Sequence, residues 1–202
     1  MNFTLGVPDD RFEQRTPKRG LITKMEIRVV SLAKMSLRPG DTVWDIGTAT
    51  GSVAIEAARL VAPGRVYAIE KNEEDVGIAR RNVERFGLDN VAMMHGRAPA
   101  GLEGWPDPDA VFIGGSAGSM AALVRLAVER LRPSGRLVAN AATLENLQQC
   151  LTALRERGWR ADIVLMQVAR SKPILDLTRF EALDPVYIVT GTAEMPPAGG
   201  EE

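Results

Sequence analysis

Short strand-like runs alternate with helical stretches between residues 42 and 157, and this alternation constrains the fold more than any other feature. The strand-like runs are residues 42–46, 65–69, 91–94, 110–113 and 136–139. The helical stretches are residues 52–61, 73–86, 119–131 and 144–157. Strands that alternate with helices of this length form right-handed βαβ units. We therefore expect an α/β protein with a mainly parallel sheet and helices on both faces.

The end of the chain departs from this alternation. Residues 159–168 and 186–190 both have strand character, and we predict only a loop, residues 169–185, between them. Because a loop does not readily make the crossover that parallel strands need, the two runs are predicted to form an antiparallel pair at the sheet edge. This gives a seven-stranded sheet with one late antiparallel strand. Residues 192–202, which end in PPAGGEE, are expected to be a disordered tail.

The N-terminal stretch has a different character. Residues 1–22 lack periodicity, so we expect an arm lying over a domain that spans residues 23–191. Thr23 and Glu26 have the spacing of a capping box, with Thr23 as the N-cap of a helix that runs to about Met35.

The segment DIGTATG, from Asp45 to Gly51, ends the first strand and opens a helix. In an open α/β sheet, ligands bind at the carboxyl ends of the strands, and glycines let the backbone approach them closely. Glu70 ends the next strand and can accept hydrogen bonds from both hydroxyls of a ribose. Asp45 and Glu70 at consecutive strand ends therefore predict a nucleoside-cofactor site, and with this topology they are typical of the Rossmann-like class I methyltransferases.

Two other interpretations of this loop are a dinucleotide- or nucleotide-binding loop and a plain turn. A dinucleotide fingerprint counted from Gly47 requires glycine where Ala49 and Ser52 stand, and no lysine makes Gly51 part of a P-loop. The plainer alternative is that Gly47 and Gly51 only form a tight turn.

Composition excludes several classes of protein. The net charge of −1 gives no global basic field for nucleic acid, and no apolar run approaches the length of a membrane span. One cysteine and one histidine cannot form an internal disulfide or a Cys/His metal site, so no metal is predicted. A cytoplasmic protein that binds neither nucleic acid nor membrane is expected.

Three further segments carry a resemblance to a known family: GVPDDRF (residues 6–12), LITKMEIR (residues 21–28) and FIGGS (residues 112–116). With the loop after the first strand, they resemble the decarboxylating cobalt-precorrin-6B C15-methyltransferases of cobalamin biosynthesis. The resemblance covers about residues 5–190. It implies S-adenosylmethionine as the cofactor, a tetrapyrrole substrate and a homo-oligomer, which in this family is a tetramer.

The resemblance and the loop together give the expected cofactor-binding residues: Thr23, Asp45, Gly47, Thr48, Ala49, Thr50, Gly51, Glu70, Arg97 and Ala98. Two of these depart from the family pattern. Glycine is more usual at Ala49, whose methyl group is expected near the cofactor. An acidic residue is frequent at Arg97, so an acceptor for the adenine amine is missing there.

The implied reaction methylates C15 of the precorrin and removes the carboxyl group of the C12 acetate arm. Residues 1–28 carry six basic side chains against four acidic ones, which suits a polycarboxylate. The predicted substrate-binding residues are Arg11, Lys24, Arg28, Gly115 and Ser116. Lys24 and Arg28, four residues apart, are expected on one helix face. No residue is assigned to catalysis.

Two alternatives remain open. An RNA (tRNA) methyltransferase shares the fold but is expected to carry a larger basic excess. A non-catalytic protein with the cofactor fold is suggested by Ala49 and Arg97. An amine methyltransferase is disfavoured because GGSA (residues 114–117) stands where such enzymes place an Asn/Asp-Pro-Pro-Tyr-like stretch.

Overall fold

A seven-stranded sheet with helices on both faces forms the centre of the chain, in a computed structural model that describes residues 5–15 and 22–193. Its strands and those of a separate hairpin are β1 (Thr42–Ile46), β2 (Arg65–Glu70), β3 (Val91–His95), β4 (Ala110–Ile113), β5 (Arg136–Ala141), β6 (Trp159–Met166), β7 (Ala169–Ile174), β8 (Leu177–Ala182) and β9 (Val186–Ala193). The helices are α1 (Met25–Met35), α2 (Ser52–Val61), α3 (Glu73–Arg85), α4 (Met120–Arg130) and α5 (Leu144–Glu156). The predicted α/β class and sheet are confirmed.

The sheet order is β3-β2-β1-β4-β5-β9-β6. Strands β1 to β5 are parallel to one another, and β9 runs antiparallel to both β5 and β6. The order reverses between β1 and β4, so the loops that follow these two strands diverge and leave a crevice. The antiparallel pairing of the last two sheet strands was predicted correctly, with β6 at the edge.

Apolar side chains fill both faces of the sheet. Val43 contributes to a core with α1 and α2, while its neighbour Trp44 belongs to a second core with α4 and α5. Because successive side chains of a strand point to opposite faces, each central strand serves both cores, which explains its continuous apolar run.

The segment that follows β6 differs from the prediction. Residues 169–185 are not a plain loop, because β7 and β8 form a two-stranded hairpin of their own. Most of its side chains are exposed, so no buried face produced a core pattern in the sequence. The predicted tail also begins too early, since Thr192 and Ala193 pair with Arg160 and Trp159 inside the sheet. Residues 194–202 lie outside the described residues.

The start of α1 corrects the predicted capping box. Lys24, not Thr23, is the N-cap, and no side chain caps the helix. The helix ends at Met35 as expected. The carbonyl of Thr23 instead accepts a hydrogen bond from Arg28 Nη1.

Arg28 forms the centre of a buried clasp that attaches the N-terminal arm. Its side chain is fully buried, and its Nε donates to Glu56 Oε1 at 2.5 Å. The two Glu56 oxygens also accept from the backbone N–H groups of Gly6, at 2.7 Å, and Val7, at 3.1 Å. Arg28 Nη2 donates to the carbonyl of Val7. The clasp therefore joins residues 6 and 7 of the arm to α1 and α2.

A second arginine extends this network to the hairpin. Arg170 of β7 donates to Glu26 Oε1 at 3.0 Å and to Asp9 Oδ2 at 2.9 Å, and Arg28 reaches Asp9 Oδ1 at 3.3 Å. The Arg170 hydrogen bond holds the pKa of Glu26 below its usual value. The other residues of the predicted arm, 1–4 and 16–21, lie outside the described residues. Within the described ranges, no helix has the length and apolar character needed to cross a membrane.

Candidate functional site

A cavity of about 800 Å³ opens at the carboxyl ends of the central parallel strands. Its walls come from the loops after β1, β2, β3, β4 and β5, from the start of α1, and from the segment between β8 and β9. The volume lies within the range of small-molecule sites, roughly 300–1,000 Å³. The crevice between β1 and β4 is therefore part of a larger cavity.

Two glycine loops meet at the floor of this cavity. Gly47 has a φ of +74°, and a Cβ atom placed on it would lie 2.4 Å from the carbonyl oxygen of Gly115. The N–H of Gly47 donates to Ile69 O at 2.9 Å, and the N–H of Gly114 donates to Ile46 O at 2.9 Å. Both the backbone conformation and the close approach require glycine at position 47.

Glu70 is held by backbone donors from both sides. Its Oε2 accepts from the N–H of Ala49 at 3.1 Å, and its Oε1 accepts from the N–H of Asn72 at 3.0 Å. The side chain is only 8% exposed, yet it lines the cavity. Each carboxylate oxygen has a second lone pair, so Glu70 can still accept two hydroxyl donors. This arrangement fits the ribose of a nucleoside cofactor.

Ala49 lies between Gly47 and Gly51 in a left-handed conformation, with a φ of +48°. It lines the cavity and donates its N–H to Glu70. A left-handed φ is unusual for alanine and natural for glycine.

Asp45 lies beneath the loop and is fully buried. Its Oδ2 accepts from Thr48 Oγ1 at 2.6 Å, while its Oδ1 has no hydrogen-bond partner among the described residues. Burial, aided by the negative charge of Glu70 and opposed by the Thr48 hydrogen bond, raises the pKa of Asp45 from 3.8 to about 7. A cation bound above the loop would favour the ionised carboxylate, which fits a sulfonium or ammonium group.

The raised pKa of Asp45 predicts a pH dependence of stability. The folded protein keeps the proton to about pH 7, whereas the unfolded chain releases it near 3.8, so Asp45 destabilises the fold increasingly as the pH rises between these values. Replacing Asp45 by Asn should therefore change stability more favourably at pH 8 than at pH 5. The expected difference is about 2–3 kcal/mol in the free energy of unfolding, measured with urea in the absence of cofactor.

The same substitution at Asp89, an exposed carboxylate, is the control and should leave the pH dependence of the parent unchanged. An Asp45→Asn variant whose stability follows that of the parent in parallel from pH 5 to pH 8 would show that Asp45 is ionised throughout this range.

The structure brings together seven of the ten predicted cofactor-binding residues. Those that line the cavity are Thr23, Gly47, Thr48, Ala49, Glu70, Arg97 and Ala98. Asp45, Thr50 and Gly51 are buried and do not line the cavity, so their contact with a cofactor stays a prediction. Asp45 holds Thr48, the carbonyl of Thr50 accepts from Asn82 Nδ2, and Gly51 is the N-cap of α2.

Of the predicted substrate-binding residues, Lys24, Gly115 and Ser116 line the cavity. Arg28 does not, and its assignment as a substrate contact is wrong because its buried guanidinium is bound by Glu56 and the arm. Arg11 is exposed and is not part of the cavity wall. The structure therefore separates Lys24 from the two arginines with which it was grouped.

Several polar residues of the cavity wall were not among those predicted from the sequence: Arg15, Asn72, Asp75, Asn140, Asn146 and Asp184. Asn72 could have been predicted, because asparagine is a favoured N-cap and this one begins α3 just after β2. Asn140 is the last residue but one of β5, so the rule that ligands bind at strand ends could have found it. Arg15 pairs with Asp75 at 3.3 Å across 60 residues, and no local pattern shows such a contact.

Comparisons with known proteins converge on one group. Residues 15–192 match the precorrin methyltransferase domain. A Pyrobaculum calidifontis protein described as a probable cobalt-precorrin-6B C(15)-methyltransferase (decarboxylating) is 40% identical over 193 residues, which are 94% of this chain and 97% of that protein.

Two solved structures have the same fold. The precorrin-6y C5,15-methyltransferase of Geobacter metallireducens superposes with a TM-score of 0.88 at 37% identity, covering 94% of this chain and 97% of that one. Precorrin 8w decarboxylase of Methanobacterium thermoautotrophicum superposes with a TM-score of 0.87 at 32% identity, covering 93% and 100%. Both agree with the sheet and helix layers described above.

Proposed function

Because this chain belongs to the precorrin methyltransferase family, as its sequence indicated, we propose that it is a decarboxylating cobalt-precorrin-6B C15-methyltransferase of cobalamin biosynthesis that uses S-adenosylmethionine. One observation carries the proposal beyond the family match. A single cavity joins the ribose acceptor Glu70 to Lys24, Lys71 and Arg97, for which no ion pair with a carboxylate is found in residues 5–15 and 22–193. Such a cavity suits a nucleoside cofactor beside a polyanionic substrate.

The cofactor supplies an electrophilic methyl group on a positively charged sulfur. Glu70 would accept from the ribose hydroxyls, and the backbone of residues 47–49 would approach the methionine part. The positive charge of the cofactor would favour ionised Asp45, which is held by Thr48 and would then place negative charge beneath that position. Transfer to an electron-rich carbon of a conjugated macrocycle requires alignment and exclusion of water rather than a strong base.

The substrate would lie against residues 114–116 and the start of α1. Lys24 would bind one carboxylate arm of the tetrapyrrole, and Gly115 and Ser116 would contact the macrocycle near the transferred methyl group. Gly115 packs against Gly47, so the proposed substrate and cofactor parts of the cavity would be adjacent. Loss of carbon dioxide from the acetate arm would leave its electron pair to the conjugated ring system, and uptake of one proton would complete the methyl group that remains at C12.

Mass spectrometry of cobalt-precorrin-6B incubated with S-adenosylmethionine and the protein tests the proposal. The product should have gained one methyl group and lost one carboxyl group as carbon dioxide. Unmodified tRNA in the same assay tests the rival function. Methylated tRNA with unchanged precorrin would favour the RNA methyltransferase, and cofactor binding without turnover of either would favour a non-catalytic protein. The cytoplasmic location and the absence of a nucleic-acid partner remain predictions.

We also propose that the protein is a homo-oligomer, with the β7–β8 hairpin covered by a second copy of the chain. The hairpin exposes Leu175 by 96%, Phe180 by 74% and Leu177 by 71%. An isolated two-stranded hairpin is marginally stable in water, and apolar side chains clustered on one are typical of an interface. The tetramer of the family is the expected assembly.

Lysine at both Leu177 and Phe180 should convert the oligomer to a monomer, because burying two charges in an apolar interface is unfavourable. Sedimentation velocity measures the change. Leu144→Lys, a matched substitution at an exposed leucine of α5, should leave the assembly intact. A monomeric parent, or an oligomer that persists in the folded double variant, would contradict the proposal.

A further inference from the structure

Arg97 spans from the cofactor side of the cavity to its substrate side. Its backbone follows β3, where the N–H of the preceding Gly96 donates to Glu70 O at 2.9 Å. Its side chain reaches the loop after β4, where Nη2 donates to the carbonyl of Ala117 at 2.8 Å. The charged end of Arg97 therefore lies beside residues 114–117 and not beside Glu70.

The chemistry of the guanidinium also argues against a hydrogen bond between Arg97 and the adenine amine. An arginine carries five N–H donors and no acceptor, so it cannot receive a hydrogen bond from an amine. The acidic residue that is frequent at this position in the family can do so. Arg97 consequently cannot replace that residue, and its presence calls for a different role.

The loop that receives Arg97 has an unusual conformation. Ala117 has a φ of +49° and Gly118 a φ of +86°, so two consecutive residues are left-handed. Ser116, directly before them, is 6% exposed and lines the cavity. A left-handed alanine is strained and is maintained only where surrounding contacts hold it. Here the N–H of Ser119 donates to the carbonyl of Ser116 at 2.9 Å, and Arg97 donates to the carbonyl of Ala117.

The remaining donors of Arg97 are available. The side chain is exposed, lines the cavity and makes no ion pair with a described carboxylate. Lys24 contributes a second cationic group to the same cavity from the start of α1. Three acidic residues also line the cavity: Glu70 at the end of β2, Asp75 of α3, and Asp184 from the segment between β8 and β9. A guanidinium anchored at one nitrogen is well placed to bind a carboxylate with its others.

We propose that Arg97 binds a carboxylate arm of the substrate and thereby determines substrate specificity, and that it is not a cofactor contact. The inference rests on the proposed function, because it takes the substrate to be the polycarboxylate precorrin. Anchoring on Ala117 fixes the guanidinium beside residues 114–116, so the bound arm positions the macrocycle against the loop that faces Gly47.

Arg97→Gln and Arg97→Lys distinguish a charged contact with the substrate from a purely structural hydrogen bond to the loop at Ala117. Glutamine keeps an N–H donor on a shorter side chain but loses the charge, whereas lysine keeps the charge but loses the fork. We expect Arg97→Gln to raise the KM for cobalt-precorrin-6B by roughly 10-fold, as for one lost hydrogen bond to a charged group, and Arg97→Lys to raise it less. The Kd for S-adenosylhomocysteine, measured by calorimetry, should stay within about 2-fold of the parent value in both.

Arg65→Gln removes the same charge at an exposed arginine that begins β2, at the opposite end of the parallel strands, and should leave KM unchanged. The KM of the parent should rise with salt concentration more steeply than that of Arg97→Gln. An unchanged KM in Arg97→Gln with an active parent would overturn this inference and leave the proposed function standing. A loss of S-adenosylhomocysteine affinity that accompanies the rise in KM would show that Arg97 contacts the cofactor. A parent that does not convert the precorrin would overturn both proposals.

Discussion

Replacing Arg28 by Met should lower the free energy of unfolding by about 3–5 kcal/mol, the effect of removing one partner of a buried ion pair. The side chains of Arg28 and Glu56 are both fully buried. Without the guanidinium, the Glu56 carboxylate keeps only the N–H groups of Gly6 and Val7, and the carbonyls of Val7 and Thr23 lose their donor. Urea unfolding followed by circular dichroism measures the loss.

Adding Glu56→Gln to Arg28→Met should recover part of the stability, because the glutamine carries no charge to be left unpaired. Arg28→Lys should lie between the parent and Arg28→Met, since lysine supplies charge but not the planar fork. Arg65→Met is the exposed control and should change stability by less than about 0.5 kcal/mol. An Arg28→Met variant as stable as the parent would show that the arm is held by other contacts.

The central strands were predicted well because their burial on both faces gives each of them a continuous apolar run in the sequence. β1 and β4 have the predicted bounds, and both are apolar on the two faces that the helices cover. The Asp45–Glu70 spacing also predicted a ligand site at the carboxyl ends of these strands, and Glu70 does line the cavity. Each acidic residue stands at or beside the end of a strand, and neighbouring parallel strands bring their carboxyl ends together.

The role of Arg28 could not be predicted, because it depends on a partner far along the chain. The four-residue spacing from Lys24 suggested a shared helix face, yet Lys24 is the N-cap with a ψ of 148° and is not part of the helix. Glu56 lies 28 residues away on α2, and only the folded arm excludes water from the pair. An arginine with such a partner has the same local pattern as a solvated one.

The β7–β8 hairpin was not predicted, because almost none of its side chains are buried against the rest of the chain. Its strands pair only with each other and bury almost nothing within one chain, so their sequence has no core-facing alternation. Pro173 and Pro185 also favoured a loop. Its exposed leucines and Phe180 are compatible with a strand whose partner surface is another molecule.

Replacing Glu70 by Ala should weaken binding of S-adenosylhomocysteine by about 1.5–3 kcal/mol, the value of hydrogen bonds to a charged group, or roughly 10- to 150-fold in Kd. Glu70 lines the cavity and has one free lone pair on each oxygen. Its loss also leaves the N–H groups of Ala49 and Asn72 without their acceptor, so the loop after β1 becomes less well held. Isothermal titration calorimetry measures the change.

Glu70→Gln distinguishes the two contributions. Glutamine retains one oxygen that can accept from Ala49 or Asn72, but its amide group donates where a ribose hydroxyl requires an acceptor. It should therefore bind the cofactor product more weakly than the parent while melting closer to the parent than Glu70→Ala does. Glu73→Ala, at an exposed carboxylate three residues further on, is the control and should bind normally. Unchanged affinity in a folded Glu70→Ala protein would remove Glu70 from the cofactor site, and with it the side chain on which the nucleoside assignment chiefly rests.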